Sequence, residues 1–395
     1  MRSRRSLGYR GLNRRSKGQV GDGGRGNKVR DLLMQGVEEG VFPGAVILVA
    51  REGKVVHLEA NGHRAVIPEK SPMTINTIFD LASLTKPLAT TLVVMELVEK
   101  GEIELDQKIS GVLPKASLGN KGDLTPRLLL SHSAGLADWK PFYERLRDYP
   151  MRDRKRMVRQ WITEESFAYK PGGGNLYSDL GFMLLEWIVE ERTGKNLVDI
   201  VREHFYQPLG LKRTLFIPAQ EDPSQSPVAK GGGEEFAATE DCPIRKRVLR
   251  GEVHDDNAWA LGGYSGHAGL FSTCEEIYTI VNMLREHYLG TRFDFFKRET
   301  VREFWRRQDL SAGSDWALGW DTRALKGSSA GKYFSRNSVG HTGYTGTSIW
   351  MDLEKDVLAV FLSNRVHPTR NNEKIKLYRP MIHDAIMEEL GLTSA

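Results

Sequence analysis

The chain has 395 residues, 40% of them hydrophobic and 27% charged, a composition that excludes a collagen, a largely disordered chain and a bundle of membrane helices. The formal net charge of +5 is uneven, since residues 1–30 hold ten Arg or Lys and one acid, whereas the rest holds 46 basic and 50 acidic residues. The body of the protein is therefore slightly acidic, which does not favour nucleic acid as a partner.

Residues 1–28 are basic and rich in glycine, which predicts a disordered tail. A nucleic-acid or membrane-surface arm is the alternative interpretation. Arg4 and Arg5 resemble the start of a twin-arginine export signal, but no hydrophobic stretch follows them. The chain as written is therefore expected in the cytoplasm, whereas a misassigned start codon would make a periplasmic or secreted protein the expectation.

The segments after the tail alternate between helical and strand patterns. Residues 29–39 show helical spacing, and 44–51 and 54–60 flank a Glu52-Gly53 turn that is typical of a hairpin. Helical patterns then dominate up to residue 206. They cover 84–100, 125–132, 151–164, 180–192 and 196–206.

The second half begins with a Pro-, Ser- and Gly-rich stretch at 218–256, which predicts a long surface excursion. Helices are predicted at 275–288, 297–307 and 372–390, and strands at 317–321, 337–342, 347–352 and 357–363, the last apolar enough to be central. We therefore predict an α+β fold, an antiparallel sheet built from both ends of the chain and flanked by helices. Residues 29–395 form one domain in this prediction, with an α-rich insertion at about 100–210 and a cleft beside it.

The first candidate motif is Ser83-Leu84-Thr85-Lys86, which opens a predicted helix and places a hydroxyl and an amine on one face. The alternative is a helix N-cap with a solvated lysine. Ser329 and Lys332 have the same spacing, but they lie in a Gly/Ser loop. The motif alone is therefore weak.

Two further motifs follow downstream. Tyr177-Ser178-Asp179 precedes a helix, and a tyrosine near a Ser/Lys pair can relay protons; the alternative makes Ser178 or Asp179 a cap. His341-Thr342-Gly343 ends a predicted strand, where a free N–H can contribute to an oxyanion hole, although a hairpin turn explains it equally well.

Several chemistries are disfavoured by what the sequence lacks. Cys242 and Cys274 belong to no Cys/His ligand cluster, and the histidines do not have the HExxH spacing. The Gly-x-Ser-x-Gly pattern of an α/β-hydrolase elbow is missed at Ser133 and at Ser265, and no phosphate-binding glycine loop occurs. We expect no metal and no organic cofactor.

The three motifs SLTK, YSD and HTG, in this order and at wide intervals, resemble those of the serine β-lactamase and penicillin-binding protein superfamily. The neighbouring runs also resemble it, namely PGAVILVAREGKV, FDLASLTKPLAT, LLLSHSAGL, PGGGNLYSDLGFMLLEWIVEERTG and HTGYTGTSIWMDLEKDVLAVFLSN. The resemblance covers about residues 29–390 and is closest to the branch of class C β-lactamases, DD-peptidases and esterases. It implies a helix-covered sheet and catalysis by acyl transfer.

The resemblance also implies residue roles. Ser83 would be the nucleophile, Lys86 its activating neighbour and Tyr177 a general base or proton relay. The N–H groups of Ser83 and Tyr344 would form the oxyanion hole. His341 would replace a lysine common in the third motif and, with Thr342, Gly343 and Asp179, would face the substrate.

Asp179 departs from the family pattern, in which an asparagine is usual. A carboxylate beside Lys86 favours the ammonium form and shifts the task of the base toward Tyr177. An alternative alignment starts a Ser-Asp-Asn motif at Ser178, but Leu180 interrupts it.

The runs GEVHDDNA at 251–258 and GGYSGHAG at 262–269 resemble segments of relatives that trim cell-wall fragments, although loop structure explains them equally well. The leading hypothesis is a serine hydrolase that forms an acyl-enzyme on Ser83 and acts on peptidoglycan-derived peptides or amides. The alternatives are a carboxylesterase, a class C-like β-lactamase and an inactive binding homologue. A small molecule or a muropeptide is the expected partner, and the sequence leaves the oligomeric state open.

Overall fold

The computed structural model describes residues 27–219, 233–311 and 313–394. Almost all of the predicted tail lies outside these residues. The described chain opens with an N-cap, because the N–H of Arg30 donates to Oδ1 of Asn27 over 3.2 Å. The first helix follows at once and confirms the prediction for 29–39.

The helices agree with the predicted segments within a few residues, apart from short additional ones. They are α1 (Lys28–Glu38), α2 (Thr91–Glu99), α3 (Pro126–Leu130), α4 (Phe142–Leu146), α5 (Met151–Glu164), α6 (Asp179–Thr193), α7 (Leu197–Val201), α8 (Asp256–Ala260), α9 (Cys274–Leu289), α10 (Arg298–Trp305) and α11 (Ile375–Glu389). Within the described residues, no helix combines the length and apolarity that crossing a bilayer requires.

The strands form one large and two small sheets. They are β1 (Gly44–Arg51), β2 (Lys54–Ala65), β3 (Ser71–Pro72), β4 (Phe79–Asp80), β5 (Leu215–Phe216), β6 (Ala238–Cys242), β7 (Arg247–Arg250), β8 (Leu270–Ser272), β9 (Asp321–Thr322), β10 (Ser338–Thr342), β11 (Thr347–Asp352) and β12 (Val357–Ser363). The large sheet has seven strands in the order β3-β2-β1-β12-β11-β10-β9.

The large sheet joins both ends of the chain, because β1 pairs antiparallel with β12 from Ala45↔Ser363 to Arg51↔Val357. The predicted α+β fold is confirmed, as is the central position of 357–363. Both faces of these two strands are covered. Helices α1 and α11 pack on one face and α9 packs on the other. Burial on both faces explains why polar and apolar residues do not alternate along either strand.

The helical block lies between β4 and β5, and the described chain has no strand from Leu81 to Thr214. The predicted single helix 84–100 has a more complex start. A 3-10 turn at Ala82–Leu84 leads into a wider π turn at Lys86–Thr90 before α2 begins. Pro87 lies inside the π turn and has no N–H to donate, which disfavours a regular α-helix there. The division into domains stays a prediction.

Two predictions about loops and strands were wrong. The described part of 218–256 is not a surface excursion, because it holds the β6–β7 hairpin with Glu240 and Cys242 buried. The predicted strand 317–321 is mostly a turn, in which the N–H of Ala317 donates to the carbonyl of Trp320. In both segments, contacts with distant parts of the fold decide the local structure.

Candidate active site

Ser83 lies at the start of the turn that leads into α2, directly after the short strand β4. The preceding Ala82 has a φ of +47°, a left-handed conformation that is strained for a residue with a side chain. Asp80 holds this turn in place, since its carboxylate accepts the N–H of Ala82 over 2.9 Å and that of His254 over 2.6 Å. The 3-10 turn has no side-chain cap. The N-cap interpretation of Ser83 is therefore wrong.

Lys86 lies one turn after Ser83, with its side chain 0% exposed. Its Nζ donates to Oγ of Ser83 over 3.1 Å, to Oδ1 of Asp179 over 2.7 Å and to the carbonyl of His267 over 3.3 Å. Burial by itself lowers the pKa of Lys86, but the Asp179 carboxylate, reinforced by Tyr177 when its hydroxyl ionises, outweighs burial and raises the pKa above its ordinary value. Three acceptors for three N–H bonds fit an ammonium group.

Tyr177 approaches the same pair from the start of α6. The hydroxyl of Ser178 caps this helix, accepting the N–H of Gly181 over 3.3 Å, so Asp179 is the first helical residue and not the cap. Nζ of Lys86 lies 4.6 Å from the centre of the Tyr177 ring. Burial raises the pKa of Tyr177 above its ordinary value, although the Lys86 charge works in the opposite direction. The resting tyrosine is therefore a neutral phenol.

A set of rings behind Tyr177 fixes its orientation. His132, Trp316 and His341 lie 4.6, 5.6 and 5.9 Å from the Tyr177 ring between centroids. The N–H of Ser178 donates to Nδ1 of His132 over 3.0 Å. No sequence motif pointed to Trp316, and the only signal for His132 was its place in the SHSAGL run.

His341 is 2% exposed and does not line the cavity at Ser83. Its Nδ1–H donates to the carbonyl of Thr342 over 2.9 Å. Burial, aided by the charge of Lys86, lowers the pKa of His341 to about 3. The imidazole is therefore neutral at ordinary pH. Thr342 is half-buried and Gly343 buried, and neither lines the cavity.

The turn after β10 brings Tyr344 next to Ser83. Gly343 is required there, because a Cβ would lie 2.4 Å from the carbonyl oxygen of Leu81. The hydroxyl of Thr345 donates to the carbonyl of Asp80 over 2.7 Å, and that of Thr347 donates to the carbonyl of Leu81 over 3.1 Å. These bonds hold the 343–347 turn against the turn that carries Ser83, and Tyr344 is 52% exposed in the shared cavity.

The cavity has a volume of about 420 Å³. Its lining residues come from seven parts of the chain and are Ala82, Ser83, Asp138, Trp139, Tyr177, Asp179, His254, Asp255, Asp256, His267, Ala268, Tyr344 and Arg370. The structure thus brings Ser83, Tyr177, Asp179 and Tyr344 together. It also brings the VHDDNA and GHAG runs to the wall of the same cavity next to Asp179.

That wall is held together by ion pairs. Asp255 caps α8, and its carboxylate lies 3.1 Å from Nε2 of His267. Burial raises the pKa of Asp255, but the charge of His267 outweighs burial and holds this pKa well below its usual range. Ligand atoms of Asp179, Asp255 and His267 lie within 4.8 Å of one another. Their charges are already matched, by Lys86 for Asp179 and by His267 for Asp255, so no metal site is assigned.

The second SxxK motif has a different environment. The hydroxyl of Ser329 accepts the indole N–H of Trp350 over 3.2 Å, and its carbonyl accepts from Nδ1 of His383 over 2.7 Å. The ammonium of Lys332 lies over the Tyr333 ring instead, 4.6 Å from its centroid. This serine has no lysine activator among the described residues.

The fold and these motifs define a serine hydrolase. Residues 29–379 match the model of the Beta-lactamase family, and the chain belongs to this family. It is 32% identical over 360 residues to "N-acetylmuramyl-L-alanine amidase" of Bacillus subtilis (strain 168), covering 86% of this chain and 81% of the relative. It is 31% identical over 353 residues to "Putative D-alanyl-D-alanine carboxypeptidase" of Salmonella agona (strain SL483), covering 85% and 81%.

A solved structure shows the same fold. EstCE1, described as a hydrolase with promiscuous acyltransferase activity, superposes with a TM-score of 0.71 at 22% identity. The match covers 91% of this chain and 97% of the other. The family model and the two relatives confirm the predicted superfamily.

Proposed function

We propose that this hydrolase forms an acyl-enzyme on Ser83 and cleaves amide bonds of peptidoglycan-derived fragments. The observation that carries the proposal is the contact of Ser83 Oγ with Nζ of Lys86 at 3.1 Å, beside Tyr177 in an open cavity. The names of the amidase and carboxypeptidase relatives support the substrate class.

The chemistry follows from these groups. Oγ of Ser83 attacks the amide carbon, and its proton passes to the Lys86–Tyr177 pair as the C–O bond forms. The N–H groups of Ser83 and Tyr344 stabilise the oxyanion. The pair then returns the proton to the leaving nitrogen as the C–N bond breaks, and water releases the acyl group by the reverse sequence.

The proton count of the pair sets the pH dependence. At rest Lys86 is an ammonium and Tyr177 a phenol, because both pKa values are raised. The reactive form therefore carries one proton less than the resting form. Activity should rise as the pH approaches the pKa of the pair from below.

Replacing Asp179 by asparagine should move this rise to lower pH. The substitution removes the charge that raises the pKa of Lys86, so the reactive form appears at lower pH. The measurement is kcat/KM on a small ester from pH 5 to 10.

The matched control is Ser178→Ala, which removes the α6 cap beside Asp179. It should lower stability by about 1 kcal/mol and leave the position of the rise unchanged. An Asp179→Asn profile that coincides with the wild type, together with a lowered Tm, would assign Asp179 a role in helix stability alone.

The neutral state of His341 affects how well the site would bind the carboxylate of a β-lactam. A lysine at this position would offer a permanent charge to the β-lactam carboxylate, whereas an imidazole with a pKa of about 3 offers none at ordinary pH. A good penicillinase is therefore disfavoured.

We expect faster turnover of a muropeptide than of p-nitrophenyl acetate, and slow or no turnover of nitrocefin. N-acetylmuramyl-pentapeptide is a suitable substrate, because mass spectrometry separates loss of the sugar from loss of the terminal D-alanine. Ser83→Ala provides the blank. Rapid nitrocefin hydrolysis without muropeptide cleavage would favour a β-lactamase, and ester hydrolysis alone would favour a carboxylesterase.

A further inference from the structure

Two buried arginines donate hydrogen bonds to backbone carbonyls of the 343–347 turn. Arg379 of α11 donates from Nη2 to the carbonyl of Gly343 over 2.7 Å and to that of Thr347 over 3.1 Å. Arg365 donates from Nε to the carbonyl of Tyr344 over 2.7 Å. Neither guanidinium has a carboxylate within 4.0 Å in the part of the chain that the structure describes.

Uncompensated buried charges of this kind are costly. Arg379 is 8% exposed, its Nε has no hydrogen-bond partner among the described residues, and burial lowers its pKa from the ordinary value. Fixing α11 to the sheet requires no charge, since apolar packing holds the rest of this helix. The cost indicates a role for the charge itself.

The position of the hydrogen bond from Arg379 to the carbonyl of Gly343 suggests that role. The carbonyl of Gly343 and the N–H of Tyr344 are two ends of one peptide group. A cation that binds the oxygen increases the dipole of the group and makes its N–H a stronger donor. Peptide planarity also passes the orientation fixed at the oxygen to the N–H.

We propose that Arg379 is a positioning residue of the oxyanion hole, which it orients and polarises through the Gly343–Tyr344 peptide group. The inference rests on the proposed function, because it assumes that the N–H of Tyr344 binds the oxyanion. The Thr345 and Thr347 hydroxyls complete the arrangement, since they tie the same turn to the residues before Ser83.

Arg365 provides a matched comparison. It is also buried and also binds the 343–347 turn, but its bond goes to the next peptide group, whose N–H belongs to Thr345. Arg365→Met and Arg379→Met thus remove the same charge from the same turn. Arg379→Met removes a donor from the peptide group that presents the Tyr344 N–H, whereas Arg365→Met removes contacts with the carbonyl and the ring of Tyr344.

The test compares p-nitrophenyl acetate with its thiono analogue, in which sulfur replaces the carbonyl oxygen. Sulfur is a poor acceptor, so the ratio of oxo to thiono kcat measures how much the oxyanion hole contributes. Arg379→Met should lower kcat on the oxo ester about tenfold, less than the ~10²–10³-fold loss of a whole donor. KM should change by less than about twofold, and the oxo/thiono ratio should fall with kcat.

Arg365→Met should lower the Tm, but its oxo/thiono ratio of kcat should stay near that of the wild type. An unchanged ratio in Arg379→Met, or an equal fall in both variants, would overturn the inference. If either methionine variant does not fold, Arg379→Gln and Arg365→Gln remove the charge, keep an N–H donor and give the same comparison. Labelling of Ser83 by a fluorophosphonate in the wild type tests the proposed function separately.

Discussion

Ser83→Ala is expected to abolish hydrolysis and covalent labelling. Removal of a nucleophilic serine lowers kcat on the order of 10⁶-fold, because its neighbours cannot act without it. The measurement is ester turnover together with mass spectrometry of the peptide that carries a fluorophosphonate label. The fold should be retained, since the half-buried Ser83 hydroxyl supplies only one of the three acceptors of Lys86.

The matched control is Ser329→Ala, in the other SxxK sequence. It removes a hydroxyl that accepts from Trp350 and should leave both turnover and labelling close to the wild type. Label recovered on a peptide that contains Ser329 would contradict the assignment of the nucleophile.

Tyr177→Phe is expected to lower kcat by about 10²–10⁴, the usual contribution of a general acid–base group. KM should change little, because the phenylalanine ring keeps the packing against His132 and Trp316. The hydroxyl is the part that faces Lys86 and Ser83, so its loss removes the proton path and leaves the cavity shape intact. Steady-state kinetics on an ester and on a muropeptide measure the effect.

A tyrosine remote from the cavity gives the control. The hydroxyl of Tyr278 donates to the carbonyl of Gly53 over 2.8 Å, and Tyr278→Phe should cost about 1 kcal/mol of stability without lowering kcat. Equal kinetic losses in the two variants would show that Tyr177 acts through stability and not through proton transfer.

The large sheet was predictable from the sequence because its strands carry local signals. The apolar runs at 44–51 and 357–363 are too short for typical helices and end at turn residues, so their type and their burial follow from composition. The β6–β7 hairpin was not predictable. Its residues resemble a loop, and the burial of Glu240 depends on its pairing with His254 and with Arg370, which lies 130 residues later.

The active site was also predictable only in part. The types and order of SLTK, YSD and HTG were sufficient to predict a nucleophile, an amine and a phenol, since together they resemble the three motifs of one superfamily. Their protonation states were not predictable in full. The pKa of Lys86 is raised because Asp179, 93 residues away, lies 2.7 Å from its Nζ.

Residue types and short-range patterns were thus sufficient for the fold class and the family motifs, and they predict which groups react. Only the tertiary structure decided that His341 is buried and neutral, that His132 and Trp316 pack on Tyr177, and that Arg379 supports the peptide group before Tyr344. Burial and electrostatic coupling act through space between segments far apart in the chain, and a single sequence does not record those distances.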